Sequence, residues 1–323
     1  MTAAALLLPG SLQAQSLKKV PFPFSPIGLN CLPWFVAKQA RLSEKYGIDL
    51  DPIFIGASSA LFQSMLSGAA EMSGSGGPAI IANILNGGDI IHVTAMVPRF
   101  TQSVMVKPEI KRPEDMAGKK IGVSRLGTVT HFALQTAIDG YGVKNVTILQ
   151  MGGQPEALAG LVRGSVDGAV FSPPYNFQLK KQGYNELVSP NDLKKFTDFI
   201  TNGIVARRSV IEKDKDTVIR VIKVTAEAIK LIQTDRDYTK KVIMKWMPMK
   251  DPDLLEQACL FASENYAKEG LVNEGALRSM VKQMVQSSLI DPKLAGSTPI
   301  TAYYDNRYVE EVKRSGFFDQ LWR

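Results

Sequence analysis

The chain is poor in the residues that most often carry covalent or metal chemistry. Across 323 residues it has only two histidines, His92 and His131, and two cysteines, Cys31 and Cys259. Neither histidine stands at a metal-ligand spacing, so no metal site is expected, and no cofactor is called for. Two thiols are too few for a disulfide framework, and both read as small core residues. No Arg-rich tract with interleaved aromatics occurs, which argues against a nucleic-acid partner. After the first residues no apolar run is long enough to span a bilayer. What remains is 45% hydrophobic and 21% charged, the balance of a globular protein with ample core, and a dispersed net charge of +7 that favours small anions.

The clearest local signal lies at residues 119–137. Lys119-Lys120-Ile121-Gly122-Val123-Ser124 predicts a buried strand, residues 125–130 a loop, and His131 onward an amphipathic helix. Such a junction aims bare N–H groups and the positive end of a helix at whatever lies above it. The same unit occurs earlier: Lys18-Lys19-Val20 leads to Ser25-Pro26-Ile27-Gly28 and then a helix containing Phe35. Tyr46-Gly47-Ile48 answers Tyr141-Gly142-Val143, Gly68-Ala69-Ala70-Glu71 answers Gly164-Ser165-Val166-Asp167, and Ser75-Gly76-Gly77-Pro78 falls in register with Phe171-Ser172-Pro173-Pro174. The near-constant spacing predicts two α/β halves of one topology.

Residues 1–15 read as the end of a signal peptide whose charged start is missing, with an apolar stretch at 3–8 and small residues near Ala14. A fourth strand is expected over 90–96, a fifth over 101–106, and a further β-type run over 199–205. Amphipathic helices are expected near 216–234, 238–247, 252–267 and 273–287, packing back on the first half. The chain would then cross between halves near 97–101 and 196–205.

If the halves face one another, loops at the strand ends line a shared cleft. Six loops qualify: 25–34, 56–59, 75–78, 124–131, 151–156 and 171–176, and Glu156 is their only carboxylate. A donor-rich, carboxylate-poor cleft suits an anionic head group. The candidate ligand residues are Ser25, Asn30 and Trp34 from the first loop, Ser58 and Ser59 from the second, and Ser75, Gly76 and Gly77 from the third. Ser124, Arg125, Gly127, Thr128, Thr130 and His131 come from the fourth, Ser172, Pro173 and Tyr175 from the last, and Asn202 from the second crossing. Arg125 would pair with the anion, with His131 and Thr128 donating and the Gly76-Gly77 amides closing the other side. Each also has an ordinary role: a solvated loop arginine, a capping histidine, a tight turn, or core packing for Trp34, Phe171 and Tyr175. No nucleophile–base pair is apparent, so no catalytic residue is assigned.

Together, Pro33-Trp34-Phe35-Val36-Ala37-Lys38 with Tyr46-Gly47-Ile48-Asp49-Leu50, Gly76-Gly77-Pro78, Gly118-Lys119-Lys120-Ile121-Gly122-Val123 and Val166-Asp167-Gly168-Ala169-Val170 carry a resemblance. The chain resembles the periplasmic solute-binding proteins of nitrate, sulfonate and taurine ABC importers, a group that includes binders of thiamine pyrimidine precursors. The resemblance implies an α/β, two-lobed periplasmic binding protein fold of type II, each lobe a mixed sheet flanked by helices, with C-terminal helices. Residues 16–98 and 200–323 would form lobe 1 and residues 99–199 lobe 2. It implies lobes that close on a solute by a hinge and deliver it to a permease; the protein is expected to be an exported monomer. By position, Ser58, Ser59, Gly76, Gly77 and Gly127 through His131 match the family's ligand loops. Phe171-Ser172-Pro173 replaces an aromatic-acidic-Pro run, and Gly127-Thr128 replaces a Gly-Ser common in sulfonate binders. The expected solute is therefore a small organic anion of carboxylate or sulfonate class. Two alternatives stand beside this reading: a pyrimidine-forming enzyme of thiamine synthesis type, whose cysteine-rich motif and clustered histidines this chain lacks, and a ligand-sensing module of a non-ABC system.

Overall fold

A computed structural model describes residues 16–25, 28–55, 58–247 and 249–323, without the side chains of residues 58–60. Its ten strands are β1 (Lys18–Phe24), β2 (Ile48–Phe54), β3 (Met72–Ser75), β4 (Ile90–His92), β5 (Ser103–Val106), β6 (Lys120–Val123), β7 (Thr147–Gln150), β8 (Gly168–Phe171), β9 (Asn185–Val188) and β10 (Gly203–Arg207). They form two five-stranded sheets ordered β2-β1-β3-β10-β4 and β7-β6-β8-β5-β9. In each, the first three strands run parallel, and the fourth enters antiparallel from the other side of the crossing. The two halves are therefore topological copies, as the repeat predicts. Even the helix stops agree: Gly47 and Gly142 both hold φ near +70° (71° and 66°), a conformation that costs glycine nothing.

Each half buries its own core. Phe22, Trp34, Phe35, Leu50 and Val93 pack in the first with the long helix Lys215–Thr234; Val104, Ile121, Phe132, Val170 and Phe199 pack in the second. The long helix starts on Asp214, whose side chain accepts from Thr217 N, and its apolar residues Val218, Val221, Ile222, Ile229 and Ile232 recur on one buried face. Helix Glu274–Gln286 likewise returns to the first half: it packs on helix Pro78–Leu85 and on the turn Ile300–Tyr303 beside β4, and its Leu277, Met280 and Met284 join the cluster where Ile81 of that half meets Phe132 of the other.

The crossing segments depart from the expected strands. Residues 93–96 leave the sheet after His92, and residues 199–202 precede β10 rather than belonging to it. Val93 N and Thr94 N both turn to Ile204 O and Ala95 N donates to Gly270 O at 2.7 Å, and beyond them the two passing segments bond to each other: Val97 N donates to Asn202 O at 2.9 Å and Thr201 N to Val97 O at 2.9 Å. Thr201 Oγ1 donates to Arg99 O at 2.7 Å, and Phe100 stacks on Phe199 with centroids 4.0 Å apart. Helices Tyr175–Lys181, Pro292–Ser297, Arg307–Arg314 and Phe317–Leu321 were not apparent in the sequence; the last three are short and lean on neighbours already in place.

Gly203 stands where β10 meets this crossing, and a Cβ there would run into the Thr94 carbonyl. Backbone cannot move aside as a side-chain tip can. Gly203→Ala is expected to lower unfolding stability by about 3 kcal/mol in urea titration, whereas Gly296→Ala, with open space around it, is expected to change it by less than about 0.5 kcal/mol.

Candidate functional site

The gap between the halves is lined by the starts of two helices. Helix Pro78–Leu85 follows Gly76-Gly77, and helix Val129–Tyr141 follows Thr128. Both leave first-turn N–H groups without intrahelical partners, and both point the positive end of a dipole at the gap. They are close: a Cβ at Gly77 would lie 3.4 Å from Val129 Cγ2, and one at Gly76 would lie 3.1 Å from the Asn202 Cα. Among the described residues the Gly76 and Gly77 N–H groups take no backbone partner.

On the second lobe the helix start carries a cluster of three hydroxyls. Ser124 Oγ lies 3.0 Å from Thr128 Oγ1 and 2.7 Å from Thr130 Oγ1, and the two threonine oxygens are 2.9 Å apart. Two neighbours fix part of the proton arrangement. Ser124 N donates to Thr130 Oγ1 at 3.0 Å, and Thr128 Oγ1 donates to Arg125 O at 2.7 Å. Thr128 therefore acts as an acceptor within the cluster, and the Ser124–Thr130 contact takes one of the two remaining hydroxyl hydrogens, leaving at most one to turn toward a ligand. This shifts the donor role expected of Thr128 to that pair.

A second polar chain crosses the hinge. Asn30 Nδ2 donates to Thr101 Oγ1 at 3.2 Å, Gln102 Nε2 donates to Thr101 Oγ1 at 3.1 Å and to Ser172 Oγ at 3.0 Å, and Ser172 N donates to Gln154 Oε1 at 2.8 Å. Asn202 bonds Asn30 O through Nδ2 at 3.1 Å and accepts from Gly203 N at 2.9 Å, so both ends of its amide are committed to the crossing. The Gly28 backbone faces the Pro173 carbonyl, 3.7 Å from where a Cβ would be. Thr101, Gln102 and Gln154 were missed in the sequence. Thr101-Gln102-Ser103 stands out in retrospect as a polar run entering the apolar strand Val104-Met105-Val106.

The remaining candidates are dispersed. Trp34 is fully buried in the first core, its ring over Gly74 and 5.0 Å from that of Phe22. Ser25 ends β1 half-buried, and Ser75 ends β3 paired with Gly203. Tyr175 packs 6.2 Å from Phe171, with its hydroxyl pKa raised by burial and by Glu156. Arg125 is exposed, with no ion pair among the described residues. The side chains of Ser58 and Ser59 lie outside the described residues. His131 is buried, and its Nδ1 accepts from Gly127 N at 3.3 Å, which puts the proton of the neutral ring on Nε2. Its ring lines a separate groove of about 760 Å³ with Gln135, Thr136, Lys282, Gln283 and Leu289, between helices Val129–Tyr141 and Glu274–Gln286. Gln283 Nε2 donates to Thr136 Oγ1 across this groove at 2.7 Å. Among the described residues no group of three His, Cys, Asp or Glu side chains could hold a metal.

Two similar lobes joined by paired crossings, with helix starts opposed across the gap, form the fold of the periplasmic binding proteins. A family model described as NMT1/THI5 like matches residues 29–237, and the chain belongs to that family. The taurine-binding periplasmic protein of Escherichia coli K12 is 38% identical over 85 residues, a stretch spanning 26% of each chain. A putative ABC transporter periplasmic binding protein of Brachyspira hyodysenteriae is 23% identical over 76% of this chain and 73% of its own. The periplasmic aliphatic sulphonate binding protein SsuA of E. coli superposes with a TM-score of 0.73 at 20% identity, covering 86% of this chain and 95% of that one.

His92 lies fully buried on β4. Burial pushes its pKa down to about 4, against a weaker opposing effect of the Gly77 backbone. A folded pKa below the unfolded one means the unfolded chain binds the extra proton first. Stability is therefore intact above pH ~6.5 and falls as pH drops toward ~4, by up to about 3 kcal/mol from this residue. Urea titrations of wild type and His92→Asn across that window should show a shallower acid slope in the variant.

Proposed function

We propose that the protein is an extracytoplasmic solute-binding protein that captures a small organic anion, of carboxylate or sulfonate class, between its lobes and delivers it to an ABC importer permease. The observation that carries this reading is the meeting of two helix starts and a hydroxyl cluster at one gap. The free Gly76 and Gly77 amides and the positive helix starts favour an acceptor-rich head group. The printed activities of the relatives, taurine binding and aliphatic sulphonate binding, are of that chemistry. The apolar stretch at 3–8 and the small residues near Ala14 fit an export signal, and no described helix is long and apolar enough to cross a membrane. Exposed Arg125 is assigned to the rim, where it steers the anion without being desolvated.

An enzymatic reading finds little support in the side chains. Burial raises Cys31 to about 12 and Cys259 to about 11, so neither thiol is a nucleophile at neutral pH.

The test is calorimetric titration of the protein with methanesulfonate, taurine, acetate and nitrate beside uncharged controls. Saturable binding of one anion class is expected, weakened at least about tenfold in Ser124→Ala/Thr130→Val. Arg125→Ala should cost less than about tenfold, and that loss should vanish at high salt. Binding confined to neutral or cationic solutes would defeat the anion assignment.

A further inference from the structure

We infer that Gln102, by donating to Ser172 Oγ, keeps the Ser172 hydrogen for the cleft and so makes this wall favour solutes whose bound edge accepts hydrogen bonds. The inference rests on the proposed reading of the cleft as an anion site, and concerns how that site tells an acid from its uncharged isostere.

Gln102 is 2% exposed and its amide is fully engaged. Its Oε1 accepts from Thr101 N at 3.1 Å. A backbone N–H can only donate, so this bond settles which end of the amide is oxygen. The NH₂ must then face Thr101 Oγ1 and Ser172 Oγ, and it contacts both, at 3.1 and 3.0 Å. Ser172 Oγ, having accepted from Gln102, keeps its own hydrogen, for which no acceptor exists among the described residues. The same logic applies one step on. Ser172 N donates to Gln154 Oε1 at 2.8 Å, which settles that end of the Gln154 amide as oxygen. Ser172 and Gln154 are both half-buried. The wall thus offers the Ser172 O–H, with one of the Oγ lone pairs already taken by Gln102. A sulfonate or carboxylate oxygen satisfies this donor. A sulfonamide or amide nitrogen would set donor against donor, and a buried unpaired donor is what gives polar sites their strong rejection of near-isosteres. Gln102 is a positioning residue in this scheme; it touches the solute only through Ser172.

The experiment measures the affinity ratio of methanesulfonate to methanesulfonamide by calorimetry, with acetate and acetamide as the second pair. Wild type should favour the anion by about a hundredfold or more. Gln102→Met, uncharged and of similar size, frees the Ser172 hydroxyl and should reduce the ratio at least about fivefold. Gln102→Glu turns that hydroxyl into an acceptor toward the cleft and should reduce it further, with recovery as pH falls and the introduced carboxylate gains a proton. In Ser172→Ala the Gln102→Met change should leave the ratio unmoved. Equal weakening of both members of a pair, with the ratio intact in either variant that folds, would mean Gln102 is only structural and would overturn the inference alone. If neither anion binds wild type, the anion reading fails and the inference with it.

Discussion

The paired crossing at Val97 and Thr201-Asn202 is the constraint on which the rest of the structure depends. Each sheet takes its fourth strand from the far side of this crossing, so neither lobe is complete without the chain returning through it. Mutual hydrogen bonding between the two passing segments satisfies backbone groups that would otherwise be buried and unpaired. It also places both helix starts against the same gap, since Gly76 abuts Asn202 and Gly77 abuts Ile200 O, 3.7 Å from where its Cβ would be. Two lobes tied at so narrow a place are mechanically suited to rotate about it.

The polar groups around this crossing divide into two kinds. Asn202 and Gln102 have every amide function occupied and hold the geometry. Ser172, one hydroxyl of the Ser124–Thr130 pair and the two glycine amides have donors to give. That division, drawn from which atoms can only donate and which can only accept, turns a generic loop-lined gap into one with a sign. Net charge contributes little here, because Arg125 is solvated and no other Lys or Arg occurs among the candidate residues.

The sequence made the duplicated α/β topology legible through its Gly-stopped helices and recurring strand–loop–helix units, because those signals are local. The Tyr-Gly stops at 46–47 and 141–142 mark the same left-handed cap in both halves. The crossings, expected near 97–101 and 196–205, were read in part as strand, because their Ile, Val and Thr residues suit a strand while serving a segment between sheets. Trp34 and His131 stand in candidate loops by position yet turn into the core and into the groove beside Gln283. A loop's location is readable from the chain, but the direction of a side chain on it is not. Gln102 and Gln154 were invisible for the complementary reason: a glutamine carries no motif, and its role comes from partners 70 and 18 residues away.

The central claim is that an acceptor-bearing solute sits between the two helix starts. Backbone amide NMR during titration with the tightest-binding anion tests it most directly. The account predicts saturable downfield shifts, the signature of a gained hydrogen bond, at Gly76, Gly77 and the first-turn amides of Val129 and Thr130. Shifts confined instead to the groove residues Gln135, Thr136 and Gln283 would place the solute elsewhere and contradict it.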